Sequence, residues 1–430
     1  MNSPSIAIVV NRFPVLSESF ILRLLESFDR SHFLVTLYAL EGFDEVLLRK
    51  LSPQISESVE SGRLRIIASG ATAPAGRKLW LARFATAATA ILGHPIHFCK
   101  LISRGLQARH AIGALTFYRL SAGQEHDLIH AQFLTVAVPL AGADLLRPSL
   151  LAAPFIAYGR GYDICRAGAV SHRELSLLKE CRRFVGICCV SKSLADRVAF
   201  LGLNNKLISV IYSGIPISRL HFSTRPAEYS PPIRFVQIGR LVEKKGFDLS
   251  LRMLAELDST STLDIVGEGP LSLALCEQAE SLGVHGRVRF HGSLSHVESL
   301  RLISGSSCML VPSRTAEDGD SEGIPNVIKE AMALGTLCIG SDHSGIPEII
   351  QDRHTGFLFR EDDLESFLTT VRHAFSAPDK LSTIVSAARE LVCKEFDSDQ
   401  SLLALGNFYS RAIARHNMHC AQQTAKDQGK

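Results

Sequence analysis

Two successive runs of alternating strand and helix patterns, separated by a proline-rich break, constrain this 430-residue chain more than any other feature. The first run opens with the β-branched apolar stretch Ser5–Asn11. A helix opened by Ser17 and Glu18 follows, with Phe20, Ile21, Leu24, Leu25 and Phe28 at helical spacing. Further strand patterns lie at 33–40, 64–68, 127–129, 155–157, 184–190 and 208–212, and helical patterns at 171–181 and 191–201. Ser191 reads as a helix cap and Gly202 as a stop. Residues 223–232, S-T-R-P-A-E-Y-S-P-P, have no apolar period and read as a linker. The alternation then restarts, with strands expected at 235–238, 263–266, 287–290, 309–311, 336–339 and 356–359. Helices are expected between them, at 247–257, 271–282, 297–303, 326–334 and 362–375. A last helix over 398–416 is expected to return to the first domain, ahead of a polar, frayed tail at 417–430. Strands joined through helices make parallel sheets. The fold class is therefore α/β: two doubly wound, Rossmann-like parallel-sheet domains, 1–222 and 233–397, facing a cleft.

Composition excludes several alternatives. With 46% hydrophobic residues the chain can fill two cores, and a net charge of +3 carries no nucleic-acid signature. The ten cysteines lack C-x-x-C spacing, as reduced thiols of a cytoplasmic protein would. No apolar run reaches the roughly 20 residues of a membrane span, and no basic leader precedes the first strand. The segment 61–124 is unusual: it holds no Asp or Glu, but it carries Arg63, Arg65, Arg77, Lys78, Arg83, Lys100, Arg104, Arg109 and Arg119 among apolar residues that include Trp80. A surface lying on anionic lipid and a pair of core helices with a solvated basic face both satisfy that pattern.

The chemistry concentrates at 318–330, D-G-D-S-E-G-I-P-N-V-I-K-E. Gly319 and Gly323 loosen a loop after an apolar strand, and Pro325 suits a first helical position. Glu322 then lies just ahead of a helix and Glu330 inside it. Free N–H groups at the helix start welcome a diphosphate, while the two acids accept bonds from hydroxyls; a sugar nucleotide suits such a site. Arg240 and Lys245, in the G-R-L-V-E-K-K-G loop at the end of the strand 235–238, supply cations for the phosphates. Gly267 closes the next strand in a V-G-E-G-P turn. Ser344–Glu348 and Thr355–Phe357 read as turn chemistry. In the first domain Glu18, His130, Arg160 and Asp163 stand at strand carboxyl ends, the ligand edge of an open α/β sheet.

Taken together and in order, G-R-L-x-x-K-K-G, V-G-E-G-P, E-G-I-P-N-V-I-K-E-A-M-A-L-G, S-G-I-P-E-I and T-G-F-L-F resemble the retaining family 4 glycosyltransferases of GT-B fold. In the first domain R-F-P-V-L-S-E-S-F-I, D-L-I-H-A-Q-F, R-G-Y-D-I and C-V-S-K-S-L-A-D-R are similar to bacterial exopolysaccharide enzymes of the colanic-acid type. The resemblance implies that Arg240 and Lys245 hold the donor diphosphate and that Glu330 bonds the ribose. It implies that Glu322, with the Gly323, Ile324 and Pro325 backbone, faces the donor sugar, and that the amides of Asn326 and Val327 meet the distal phosphate. His130 would join the catalytic set with Glu322, Arg240 and Lys245; Glu18, Arg160 and Asp163 would serve the acceptor. No metal and no cofactor is implied, the sugar nucleotide being a co-substrate. The implied partners are that nucleotide and a glycan or lipid-linked acceptor; contact of 61–124 with the inner face of the cytoplasmic membrane rests on its composition, beside the core-helix reading. Two departures stand out. Arg12–Ser19 replaces the Gly-Gly loop of many relatives, and Arg160 stands where many carry His. A sugar-nucleotide epimerase of the same fold and a non-catalytic nucleotide-binding scaffold are the competing readings. An epimerase would release a sugar nucleotide without any acceptor, and a scaffold would consume none.

Overall fold

The computed structural model describes residues 4–15, 18–28, 33–69, 87–89, 91–146, 153–223, 232–257 and 260–428. Most of the expected linker (224–231) and the Trp80 stretch of the basic segment lie outside the described residues. The first half supplies β1 (Ser5–Phe13), β2 (Leu34–Phe43), β3 (Leu64–Ala68), β4 (Leu128–Ala131), β5 (Phe155–Gly159), β6 (Phe184–Cys189) and β7 (Ile208–Val210). They pair in parallel in the order β3-β2-β1-β4-β5-β6-β7. The second half supplies β8 (Arg234–Ile238), β9 (Thr262–Val266), β10 (Val288–Phe290), β11 (Cys308–Val311), β12 (Leu337–Ser341) and β13 (Phe357–Phe359). These form a second parallel sheet, β10-β9-β8-β11-β12-β13.

The second sheet shows why these segments become central strands. Successive side chains leave a strand on opposite faces, so a strand covered on both sides must be apolar throughout. Phe235, Cys308, Leu310, Leu337 and Ile339 enter one core with the helices Phe247–Ala255, Ser272–Ser281 and Leu364–Phe375. Their neighbours Val236, Met309, Val311 and Cys338 enter a separate core with the helix Asn326–Leu334. The sheet is thus wound on both faces.

Three local expectations change. Pro325 precedes the helix Asn326–Leu334 rather than opening it, with ψ at 131°. A helix over Pro378–Glu395 stands where the sequence reading places no element; Leu381, Val385, Ala388 and Val392 are its buried face, diluted by charged neighbours. The last helix runs Ser398–Gln428 instead of fraying after 416, because its end holds good helix formers and no breaker. That helix crosses back to the first sheet, where Leu405, Phe408, Tyr409 and Ala412 join the core. At the crossing, Ile215 N–H donates to the Phe396 carbonyl at 2.9 Å and Ser398 N–H donates to the Ile215 carbonyl at 2.9 Å.

Each sheet reverses its winding once, between β1 and β4 and between β8 and β11. Crevices at the carboxyl ends of such strand pairs are where open α/β sheets hold ligands. The loops leaving β8 and β11 are the G-R-L-V-E-K-K-G and D-G-D-S-E-G-I-P stretches.

Candidate active site

The loops after β8 and β9 meet closely. Gly267 has φ +135°, and an added Cβ there would collide with the Gly239 carbonyl. Beyond this contact a short 3-10 turn, Glu243–Lys245, turns both lysines inward toward the loop after β11. Lys245 Nζ lies 3.0 Å from Glu322 Oε1, and Lys244 Nζ lies 3.0 Å from Asp320 Oδ1 and 3.5 Å from Glu322 Oε1. The Lys245 contact is ionic rather than an aligned hydrogen bond, since Oε1 has no aligned donor. Burial opposes ionisation of Glu322, but the Lys245 and Lys244 ammoniums outweigh it and hold the carboxyl at about 2. The Glu322 carbonyl accepts from Ser344 Oγ at 2.6 Å, and its N–H donates to His343 Nε2 at 3.3 Å. Ser344 therefore does more than make a turn. The N–H groups of Asn326 and Val327 have no acceptor among the described residues.

Glu330 is 6% exposed on the same helix. Its Oε1 accepts from Arg23 Nη2 at 2.8 Å and from His296 Nε2 at 3.0 Å. Burial opposes its charge, and the His296 hydrogen bond and the Arg23 guanidinium outweigh that and lower its pKa. Arg23 belongs to the first domain, on the helix Ser19–Phe28, so this pair bridges the cleft. Below the bridge, first- and second-domain loops touch directly: Arg166 pairs with Asp318 at 2.9 Å, and a Cβ on Gly161 would lie 2.9 Å from the Ser321 carbonyl oxygen.

A cavity of about 540 Å³ spans the cleft, lined by Arg12, Pro14, Val15 and Asp44 from one side and by Gly239, Arg240, Gly267 and Glu268 from the other. Arg240 is exposed there and forms no ion pair among the described residues. Lys245, Glu322 and Glu330 do not line this space. A second cavity of about 600 Å³, entirely within the first domain, shares Arg12 and Val15 with the first and is lined by Glu18. Burial pushes the Glu18 carboxyl up to about 7, with Arg160 pulling the other way.

Two of the first-domain candidates leave the chemistry. His130 sits inside β4 with no exposure, its Nδ1 2.6 Å from the Tyr409 hydroxyl and its ring stacked on Tyr158. Burial first, and then Arg160, drive its pKa down to about 3. It is a neutral core histidine with no surface open to the cleft. Asp163, 1% exposed, accepts from the N–H groups of Leu134, Arg160 and Gly161, so it fixes the loop and the start of the helix Leu134–Leu146. Arg160 lines neither cavity. Its guanidinium carbon lies 3.7 Å from the Phe20 ring centroid and 4.2 Å from that of Tyr158, and Nη2 donates to Gln132 Oε1 at 2.9 Å.

Lys244, Arg23, His296 and Ser344 are the partners that sequence reading misses. The Lys-Lys doublet signals Lys244 without saying that both lysines turn inward. Arg23 has no local signal, because its partner is 307 residues away.

Residues 221–391 match the family model described as Glycosyl transferases group 1. The chain carries a group 1 glycosyltransferase domain. This glycosyltransferase is 26% identical over 406 residues to WcaL of Escherichia coli K12, named as a colanic acid biosynthesis glycosyltransferase, covering 90% of this chain and 94% of that one. It is 29% identical over 225 residues to the amylovoran biosynthesis glycosyltransferase AmsK of Erwinia amylovora, covering 52% and 55%. In fold, it is similar to HepE of Anabaena, solved in complex with UDP and glucose: TM-score 0.65, 19% identity, 95% of this chain and 100% of that one. It is likewise similar to the sucrose-phosphate synthase of Thermosynechococcus elongatus, at TM-score 0.68 and 17% identity over 96% and 100%. The glycosyltransferase thus has the GT-B fold.

Proposed function

We propose that the protein moves a hexose from a nucleoside diphosphate sugar to a lipid-linked glycan during exopolysaccharide or other cell-surface polysaccharide synthesis. A UDP-hexose is the favoured donor and GDP-mannose the second choice. The observation that carries this reading is the convergence, at the β8/β11 switch point, of the Lys244–Lys245–Glu322 cluster with the open amides of Asn326 and Val327. In this reading the amides and Arg240 cradle the diphosphate, Glu330 bonds the ribose through Oε2, and the base lies along Gly267. Glu322 and the Gly323–Pro325 backbone face the donor sugar.

Lys245 lies against Glu322. As the bond to the sugar breaks, charge builds on the departing diphosphate, and a preplaced ammonium stabilises it most at that moment. Retention follows by front-side displacement, the leaving phosphate taking the acceptor's proton, with no metal. Names of the relatives WcaL and AmsK support the exopolysaccharide assignment; the UDP bound to HepE supports the uridine donor. No helix among the described residues is long and apolar enough to cross a membrane. Contact with the cytoplasmic face of the membrane would be peripheral, through the basic segment, where Leu92 and Ile96 are 79% and 83% exposed.

The test is a thermal-shift panel of UDP, GDP, ADP and CMP without metal, followed by turnover of the matching sugar nucleotides. A ligand at a hundred times its Kd adds about 2.7 kcal/mol, a rise of several degrees at roughly 2–4 °C per kcal/mol. Glu322→Gln is expected to keep that shift and lose turnover by about 10² or more. Unchanged turnover in this variant would remove Glu322 from the mechanism, and no shift with any nucleotide would overturn the donor assignment.

A further inference from the structure

The first-domain cavity has features that the donor chemistry does not use. Its wall includes His110, on the helix Ala108–Leu120, which is 5% exposed. His110 Nδ1 lies 2.6 Å from Oε1 of Glu174, itself fully buried. Glu174 also accepts from the N–H groups of Gln107 and Ser171. Burial opposes its charge, but the His110 hydrogen bond and these backbone donors outweigh burial and hold the carboxyl at about 2. A carboxylate can only accept, so the shared proton belongs to Nδ1. The other ring nitrogen, Nε2, has no bonding partner among the described residues.

A second group points the same way. Thr135, 5% exposed and also in the wall, has a buried hydroxyl with no hydrogen-bond partner. Buried polar groups are seldom left unpaired, and a lone one calls for an occupant. Glu18, across the wall, makes no side-chain hydrogen bond among the described residues. Leu40, Ile112 and Pro139 also line the cavity. A ring nitrogen, a hydroxyl and a carboxyl set among apolar surfaces match a sugar ring, which offers hydroxyls at its edge and C–H groups on its faces. The volume, about 600 Å³, falls within the roughly 300–1,000 Å³ of small-molecule sites. Arg12 and Val15 line both cavities, so a sugar bound here would adjoin the donor cleft.

We propose that this cavity is a hexoside-binding site, in which His110, oriented by Glu174, bonds an acceptor-sugar hydroxyl through Nε2 and Thr135 bonds a second one. The assignment rests on the glycosyltransferase reading above and supplies its acceptor side. Neither His110 nor Glu174 belongs to the family-like motifs.

The test uses the full chain and three defined probes, octyl β-glucoside, octyl β-galactoside and octyl α-mannoside, below their micellar concentrations. Saturation-transfer NMR reads contact with the sugar ring, and UDP is the control ligand. The variant is His110→Asn: its amide keeps a donor where Nδ1 lies and so preserves the Glu174 bond, but it has no Nε2. Thr135→Val is the second variant, removing the hydroxyl at nearly constant shape should the first fail to fold. At least one octyl hexoside is expected to bind wild type. Its affinity should fall tenfold or more in either folded variant, with UDP binding unchanged. Equal hexoside binding by wild type and a folded variant would overturn the proposal, since the sugar would then sit elsewhere. UDP binding without any hexoside contact would overturn it too, while leaving the donor reading intact. Failure of both ligands would sink the proposal and the donor reading together.

Discussion

Lys329 is 1% exposed and stands beside Glu330 on the donor-side helix. Its Nζ donates to the Ser213 carbonyl at 2.7 Å and to Asn326 Oδ1 at 3.0 Å. It also lies 5.5 Å over the Phe396 ring, so it touches both chain crossings between the domains. Burial, helped by the Arg23 and Arg160 charges and opposed by Glu330, pulls its pKa down from 10.5 to about 7. An unfolded chain holds that proton up to about pH 10.5, whereas the folded chain releases it near 7. Between these limits the unfolded state binds more protons, so stability rises with pH. Urea unfolding of wild type and Lys329→Met should therefore diverge from pH 7 toward pH 10. Wild type should gain at most about 1.4 kcal/mol per pH unit relative to the variant. A difference that stays flat with pH would show that Lys329 keeps its proton in the fold.

At the scale of an element, the helix Ser398–Gln428 acts as part of the first domain although it follows the second. Tyr409 stacks on Phe28, its hydroxyl meets His130, and Arg415 donates to the Val185 carbonyl at 2.9 Å and the Lys206 carbonyl at 3.1 Å. His130 therefore reads more simply as a docking point for this helix than as a catalytic group. Tyr409→Phe leaves a buried ring nitrogen without its partner, at a cost of about 1–3 kcal/mol. The thermal midpoint should fall by roughly 2–4 °C per kcal/mol, while the UDP shift in the donor cleft keeps its size. A midpoint within a degree of wild type would mean that His130 finds another partner.

For the whole molecule the issue is how the two domains are held. Glu348, in a stretch that reads as turn chemistry, reaches across and accepts from the N–H groups of Lys192 and Ser193 at 2.8 and 3.0 Å. These are the first N–H groups of the helix Lys192–Phe200, where a carboxylate is favoured by both hydrogen bonding and the helix dipole. The Tyr212 hydroxyl donates to the same carboxylate at 3.0 Å. With the Arg23–Glu330 bridge, this anchor ties the two domains together across the cleft. Glu348→Ala should open it: small-angle scattering should show a larger radius of gyration, and the donor KM should rise more than kcat falls. An unchanged scattering curve would assign closure to the Arg23 bridge and the Gly161 contact instead.

The sequence by itself determined the two parallel sheets and the donor loops, because hydrophobic period and glycine placement are local signals. The strand 64–68 appears at the expected residues, and the helix Asn326–Leu334 covers the expected span with Pro325 just outside it. Lys245 and Glu322 could be named because each follows a strand in a motif of fixed spacing. What the tertiary structure alone decided is which groups share an environment. Glu330 meets Arg23, His130 meets Tyr409 and Glu348 meets Lys192 across 307, 279 and 156 positions of chain. No local pattern encodes such pairs. The same long-range packing buries His130, raises Glu18 and leaves His110 Nε2 and the Thr135 hydroxyl unpaired. Desolvation depends on every segment that covers a group, so it is a property of the folded chain and not of any stretch within it.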